Sequence, residues 1–231
     1  MKQRPLRYLF ASAICVLLLT SIPARQSTAA TITIDGAGFA FEQLNVDITE
    51  LNEIFSQADY PSLNERILLH GVTASGQLLD HFSYSAIAAG NAMTSTSGDK
   101  ISKFSFSYGG VAPIYEFISE DRYSISAGLL LSGGRATLMM LSQPSTNFEE
   151  SIAQPRQTVL RRSFISLKPQ LTARAKITDW LNLDLVGGYL FVVGGDWEQH
   201  GNVLPGPPQS LNSPTLQATL ELNWARSESA E

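Results

Sequence analysis

The segment from Ile165 to Val193 constrains the fold more than any other, because it alternates apolar and polar residues along two long arms joined by a very short turn. In the first arm Ile165, Leu167, Leu171, Ala173, Ala175 and Ile177 take alternate places, with Ser166, Lys168, Gln170, Thr172, Arg174 and Lys176 between them. In the second, Leu181, Leu183, Leu185, Tyr189, Phe191 and Val193 share one face, and Asn182 and Asp184 begin the other. Period two puts successive side chains on opposite sides of a strand, so each arm has an apolar face and a polar face. Thr178-Asp179-Trp180 joins them. Strands in soluble sheets usually run about 5–6 residues. Arms this long suit a tilted bilayer crossing, which needs roughly 9–11 residues inside the hydrocarbon.

The first thirty residues follow a different logic. Lys2, Arg4 and Arg7 precede an apolar run from Leu9 to Leu19, and a small-residue segment ends in Ser27-Thr28-Ala29-Ala30. That order is the order of a secretory signal peptide, and its apolar core is too short for a transmembrane helix. We therefore expect residues 1–30 to be a signal peptide, 31–224 one domain and 225–231 a short C-terminal tail. The single cysteine, Cys15, would leave with the leader, so no disulfide or thiolate metal site is expected. Removing four of sixteen basic residues leaves twelve against twenty-one acidic ones, a formal charge of −9. That balance argues against a nucleic-acid partner, which wants a basic surface.

Six more arms, one helix and three loops complete the reading. Thr31 to Phe41 is a weakly apolar first strand with Gly36, Gly38 and Ala40 on one side. The period then changes: Asp47 or Thr49 caps a short helix in which Leu51, Ile54, Phe55 and Ala58 share a face. Ile67–Leu79 and Phe82–Met93 are extended, reversed at Asp80-His81. Thr94 to Lys100 reads as a polar loop around Gly98-Asp99. Ile101 to Phe117 places Phe104, Phe106 and Tyr108 on one face, with a bulge or edge distortion expected near Pro113. Tyr123, Ile125, Ala127, Leu129 and Leu131 line the fifth arm, which runs to about Leu141. Gln143–Gln157 and Asp196–Pro214 are long loops, and Thr215–Trp224 is the last arm.

These are eight arms, and their connections alternate. Those after the second, fourth and sixth are tight, and those after the first, third, fifth and seventh are long or loose. A chain that starts on the periplasmic side then keeps every tight turn inside and every loop outside, the habit of bacterial outer-membrane barrels. A sheet edge in hydrocarbon leaves backbone groups unpaired at several kcal/mol each, and closure removes the edge.

With its leader, its eight arms and a last strand that alternates Leu220 and Leu222 and reaches Trp224, the chain resembles the small eight-stranded outer-membrane β-barrel proteins of Gram-negative bacteria. In those families the aromatic is the final residue, whereas Ala225 to Glu231 extend past Trp224 here. The resemblance implies an all-β fold, an eight-stranded antiparallel up-and-down transmembrane β-barrel with a short helix between strands 1 and 2. It implies residence in the outer membrane, contact with the lipid bilayer and lipopolysaccharide, and insertion by the barrel assembly machinery. It brings no catalytic residue and no cofactor. Closure would turn Arg174, Lys176, Asp184 and Glu221 into the lumen, and Tyr123, Trp180, Tyr189 and Trp224 toward the membrane interfaces.

Chemistry is sparse. His70, His81 and His200 are the only histidines, and no serine lies in a GxSxG elbow. HExxH and EF-hand spacings are absent, and Gly133-Gly134, Gly187-Gly188 and Gly194-Gly195 lie along strands without the helix start a phosphate loop needs. Glu149-Glu150 reads as a solvated loop face. The expected role is non-enzymatic, envelope-structural or surface-interacting. A narrow porin carrying small or lipophilic solutes is the first alternative; a soluble exported barrel with its apolar faces around a ligand is the second. Alternation alone does not separate inside from outside.

Overall fold

A computed structural model describes residues 33–142, 157–208 and 210–224. The expected signal peptide, Cys15, Glu149-Glu150 and the tail beyond Trp224 lie outside the described residues. In chain order the elements are β1 Gly36–Asn45, α1 Thr49–Gln57, β2 Arg66–Leu79, β3 Phe82–Ser97, β4 Lys100–Ser119, β5 Tyr123–Ser142, β6 Gln157–Thr178, β7 Leu181–Gly194, β8 Trp197–Gln199, β9 Asn202–Leu204 and β10 Ser213–Asn223. Strands β1 to β7 and β10 pair with antiparallel neighbours in the order β5-β4-β3-β2-β1-β10-β7-β6, and β5–β6 pairing closes the ring. The fold is an all-β, eight-stranded antiparallel barrel with one short helix between its first two strands. The small β8–β9 hairpin hangs on β6 through Arg161 opposite Glu198.

Register fixes the geometry of closure. From Phe41, backbone partners lead through His70, Gly90, Ser107 and Arg135 to Ser163 on β6. The other way round, they lead through Ala218 and Leu185 to Ala173, ten residues along the same strand. That offset over eight strands tilts them about 40° from the barrel axis and leaves an interior just wide enough for side chains.

Several boundaries differ from the sequence reading, each for a local reason. The expected loop at Thr94–Lys100 is strand on both sides of a two-residue turn, Gly98-Asp99, where Gly98 has φ +58°. Thr and Ser alternate there without an apolar face, so the pattern carries no strand signal, while a tight hairpin requires a positive φ that glycine supplies freely. Strand β6 begins at Gln157 instead of Ile165, because Arg161-Arg162 interrupts the alternation in sequence. Strand β1 runs to Asn45 instead of Phe41, since Glu42 is turned inward, where a partner waits. At Pro113 the register holds and no bulge occurs, but the β4–β5 pairing skips Ala112 and Pro113, a local distortion where proline has no N–H to donate. The register shifts lie nearer the turns, between Gln77 and Leu79, Glu116 and Ile118, and Lys176 and Thr178.

The helix keeps half of its expected face. Leu51 and Phe55 are buried, whereas Ile54 and Ala58 are exposed. The N-cap is Ile48, so neither Asp47 nor Thr49 caps the helix; Asp47, two positions before the helix starts, accepts through Oδ1 the Thr49 amide at 3.1 Å and its hydroxyl at 2.9 Å. These hydrogen bonds hold the Asp47 carboxyl below its usual 3.8.

Candidate functional site

Around the ring, one set of alternate positions faces outward and the other faces in. The outward set is apolar over most of its height: Phe39 is 66% exposed, Leu171 59% and Val193 76%. On β4 the direction is the reverse of an all-outward apolar face, because Phe104, Phe106 and Tyr108 point into the barrel and are fully or nearly fully buried. Both sides of that strand are partly apolar, so its pattern alone could not assign them.

The interior is built in three tiers. Toward the loop end it is apolar. Leu44, Ile67, Leu69, Phe104, Phe106, Leu138, Phe164 and Leu190 form one buried cluster with Ile48, Leu51 and Phe55 from the α1 segment and with Trp197 and Leu211 from the last connection. The Phe106 and Phe164 rings stack at 5.0 Å. Gly134 lies between Tyr108 and Phe164 in the register, and a Cβ there would run into the Phe164 ring. Lys100 Nζ donates to the Ala58 carbonyl at 2.8 Å and sits 5.1 Å from the Tyr60 ring centre, tying the end of α1 to the β3–β4 turn.

The middle tier is ionic. Lys168 Nζ lies 2.8 Å from Glu42 Oε1 and 3.3 Å from Gln217 Oε1, and both members of the pair have side chains only 1% exposed. The Tyr108 hydroxyl donates to the other Glu42 oxygen. Ser132 and Ser166 hydroxyls meet at 2.6 Å nearby on β5 and β6.

The third tier, at the turn end, holds three of the four lumen candidates. Arg174 grips Asp184 with two parallel hydrogen bonds, Nε to Oδ1 at 2.8 Å and Nη2 to Oδ2 at 2.7 Å. Its Nη2 also lies 2.9 Å from Glu221 Oε1. Lys176 does not join them: it is half-exposed at the rim, with Nζ 2.9 Å from Asp179, because the turn brings i and i+3 together there. That contact draws the Asp179 carboxyl below its usual range. Around the Arg174 group is a cavity of about 240 Å³, lined also by Thr73, Ser126, Glu116 and Thr219.

The four aromatic candidates all face outward: Tyr123 is 53% exposed, Trp180 58%, Tyr189 40% and Trp224 50%. Tyr123, Trp180 and Trp224 gather at the turn end, where Trp224 Nε1 donates to the Ile34 carbonyl at 2.8 Å. Tyr189 lies higher, against Phe191 at 4.7 Å. His70 is on the outer surface against the Phe41 ring, and His81 occupies the β2–β3 turn at φ +64°. Among the described residues no three His, Cys, Asp or Glu side chains group as a metal site. No helix among them is long and apolar enough to cross a membrane, which leaves crossing by strands open.

Sequence reasoning missed Glu42 and Lys168 as a site. A signal for Lys168 existed, since it shares the Arg174 face, but Glu42 lay beyond the expected end of its strand.

No family model matches the chain. No curated protein matches it either. Among solved structures it is similar to Ail, the attachment invasion locus protein of Yersinia pestis, in complex with the heparin analogue sucrose octasulfate: 10% identity, TM-score 0.48, covering 83% of this chain and 97% of that one. A second crystal structure of Ail gives 10% identity and a TM-score of 0.45, over 85% of this chain and 100% of that one. Neisserial surface protein A (NspA) gives 13% identity and a TM-score of 0.48, over 82% of this chain and 95% of that one.

Proposed function

We propose that this protein is a non-enzymatic outer-membrane barrel of a Gram-negative bacterium that anchors in the bilayer and presents its loop end as a surface for interaction. Residues 1–30 direct export, and the turns after β2, β4 and β6 lie on the periplasmic side, while the two-residue β3–β4 turn lies at the loop end. The observation that carries this reading is the outward surface. Between the turns and the loop-end rim, no outward strand position holds Asp, Glu, Lys or Arg. On β5 that stretch runs from Tyr123 to Gly133, eleven residues, the length a tilted strand needs to cross hydrocarbon. Tyr123, Trp180 and Trp224 serve as anchors at the periplasmic interface, with Tyr189 higher in the belt. Leu220, Leu222 and Trp224 present the outward alternation the barrel assembly machinery would read, and the lipid partners are the bilayer and lipopolysaccharide.

The filled interior supports anchoring over transport. The apolar tier and the Lys168–Glu42–Tyr108 group occupy the lumen at successive levels, and eight strands leave little room beyond side chains. A soluble barrel around an apolar ligand would need the opposite assignment of faces.

Expression with the leader, cell fractionation, and electrophoresis of heated and unheated envelope test the reading. Recovery from the outer membrane with heat-modifiable migration is expected. A soluble periplasmic product would overturn it.

A further inference from the structure

Counted over all eight barrel strands, the outward positions hold only four charged residues: Arg66, Lys103, Arg135 and Arg161. All are basic, and all lie beyond the apolar belt at the loop end. Three of them cluster on β4, β5 and β6.

Register shows how abruptly the surface changes there. Val111 faces Leu131, which faces Leu167, and these three are 56%, 45% and 41% exposed. Two rows further on, Ser107 faces Arg135, which faces Ser163. Arg161 stands opposite Thr137, and Lys103 is diagonal to Thr137 on the other side, opposite Met139. Directly opposed side chains lie about 4.5–5.5 Å apart and diagonal ones about 7–8 Å, so three long cationic side chains border one hydroxyl. Lys103, Arg135 and Arg161 have no ion-pair partner among the described residues. Glu198, opposite Arg161 across the β6–β8 bridge, is the acid that register brings nearest, and it makes no ion pair with Arg161. At the other end of the barrel the exposed Arg122 sits in a turn with Glu120 and Asp121, so positive charge there is matched.

We infer that Lys103, Arg135 and Arg161 form a docking surface for the phosphate groups of a lipid headgroup in the outer leaflet. The inference rests on the membrane-spanning reading above. A position one step past an apolar stretch of about eleven residues lies at headgroup depth. Two guanidinium groups match phosphate oxygens as planar forks, and Ser107, Thr137 and Ser163 add hydroxyl donors. A basic cluster turned outward at this level, without an ion-pair partner among the described residues, fits a phosphorylated lipid, because the hydrocarbon just below it excludes a large soluble partner from half of the approach.

The test uses the full barrel in nanodiscs of phosphatidylcholine doped with a diphosphorylated glycolipid, with native mass spectrometry counting retained lipid. A basic residue near an anionic surface contributes about fivefold in affinity, so K103Q/R135Q/R161Q should lose roughly a hundredfold. R135K/R161K, which keeps the charge but loses both planar forks, should bind between the wild type and the triple glutamine variant. Equal retention by the triple variant would overturn the site, as would equal retention of the dephosphorylated lipid. So would a soluble sulfated oligosaccharide that binds the same three residues in undoped discs and displaces the glycolipid from doped ones. Heat-modifiable migration is read on every sample: a wild-type chain that never inserts refutes the membrane reading itself, a result distinct from an inserted barrel that ignores phosphate.

Discussion

Breaking the Lys168–Glu42 pair one partner at a time should cost far more than removing it whole. Both side chains are 1% exposed, and 2.8 Å separates Nζ from Oε1. Lys168→Met leaves the Glu42 carboxylate with the Tyr108 hydroxyl alone. Glu42→Gln leaves the Lys168 ammonium with two neutral amide oxygens, including Gln217 at 3.3 Å. An uncompensated buried charge costs about 3–5 kcal/mol, while replacing a whole buried pair is often neutral. Lys168→Met should lie at the upper end of that range, since its remaining partner is a single hydroxyl, and Glu42→Gln at the lower. The double variant leaves the new amide, Tyr108 and Gln217 as a neutral set and should cost about 1 kcal/mol or less. Urea unfolding of the reconstituted barrel, followed by tryptophan fluorescence, reads this directly. With a slope of about 2 kcal/mol/M, a loss of about 4 kcal/mol moves the midpoint by about 2 M. Single effects that add within about 0.5 kcal/mol in the double variant would refute the reasoning, because additivity is the behaviour of sites that do not interact.

Leu171→Arg puts a charge on the outward belt and should destabilise the inserted barrel by about 2–4 kcal/mol at mid-depth; unchanged assembly and midpoint would contradict the lipid-facing assignment. Planar-bilayer recording should show no unit current from the wild-type barrel, since Phe104, Phe106 and Phe164 fill the lumen, and a steady ohmic conductance would contradict a closed interior. Asp47 has a folded-state value depressed by the Thr49 amide and hydroxyl, so its contribution is present above its ordinary value of 3.8 and is lost as pH falls through the lower folded value. Hydrogen exchange at the start of α1 should quicken relative to β1 across that acidic window, and Asp47→Asn should weaken the dependence; identical profiles would refute the anchoring role.

How much of this was legible depended on sequence distance. Arg174 and Asp184 stand directly opposite in a hairpin closed by a two-residue turn, so period and turn length nearly determine their meeting. Lys168 and Glu42 are 126 residues apart and meet only across a closed lumen, which no local pattern encodes. Lys176 departs from the sequence reading for a related reason: it shares the Arg174 face, but the face passes from lumen to rim between the two residues, and parity does not report depth. The polar Thr94–Ser97 arm was invisible because its strand is specified by pairing with β4, with no buried side of its own.

The assignment of inside and outside follows from charge more than from greasiness. On β2, Leu68 and Val72 face out while Ile67 and Leu69 face in, and on β1 Phe39 and Phe41 oppose Ala40 and Leu44. Apolar content therefore does not choose between the faces. The charged residues do: Glu42, Lys168, Arg174, Asp184 and Glu221 all point inward and pair, while the outward charges are basic and confined to the loop end. In water an outward charge is harmless, and eight strands would have no reason to avoid one. In hydrocarbon each costs kilocalories, increasing with depth. An outward surface without charge across the belt, above an interior that holds its charges in pairs, is the pattern expected when the solvent of the barrel wall is lipid.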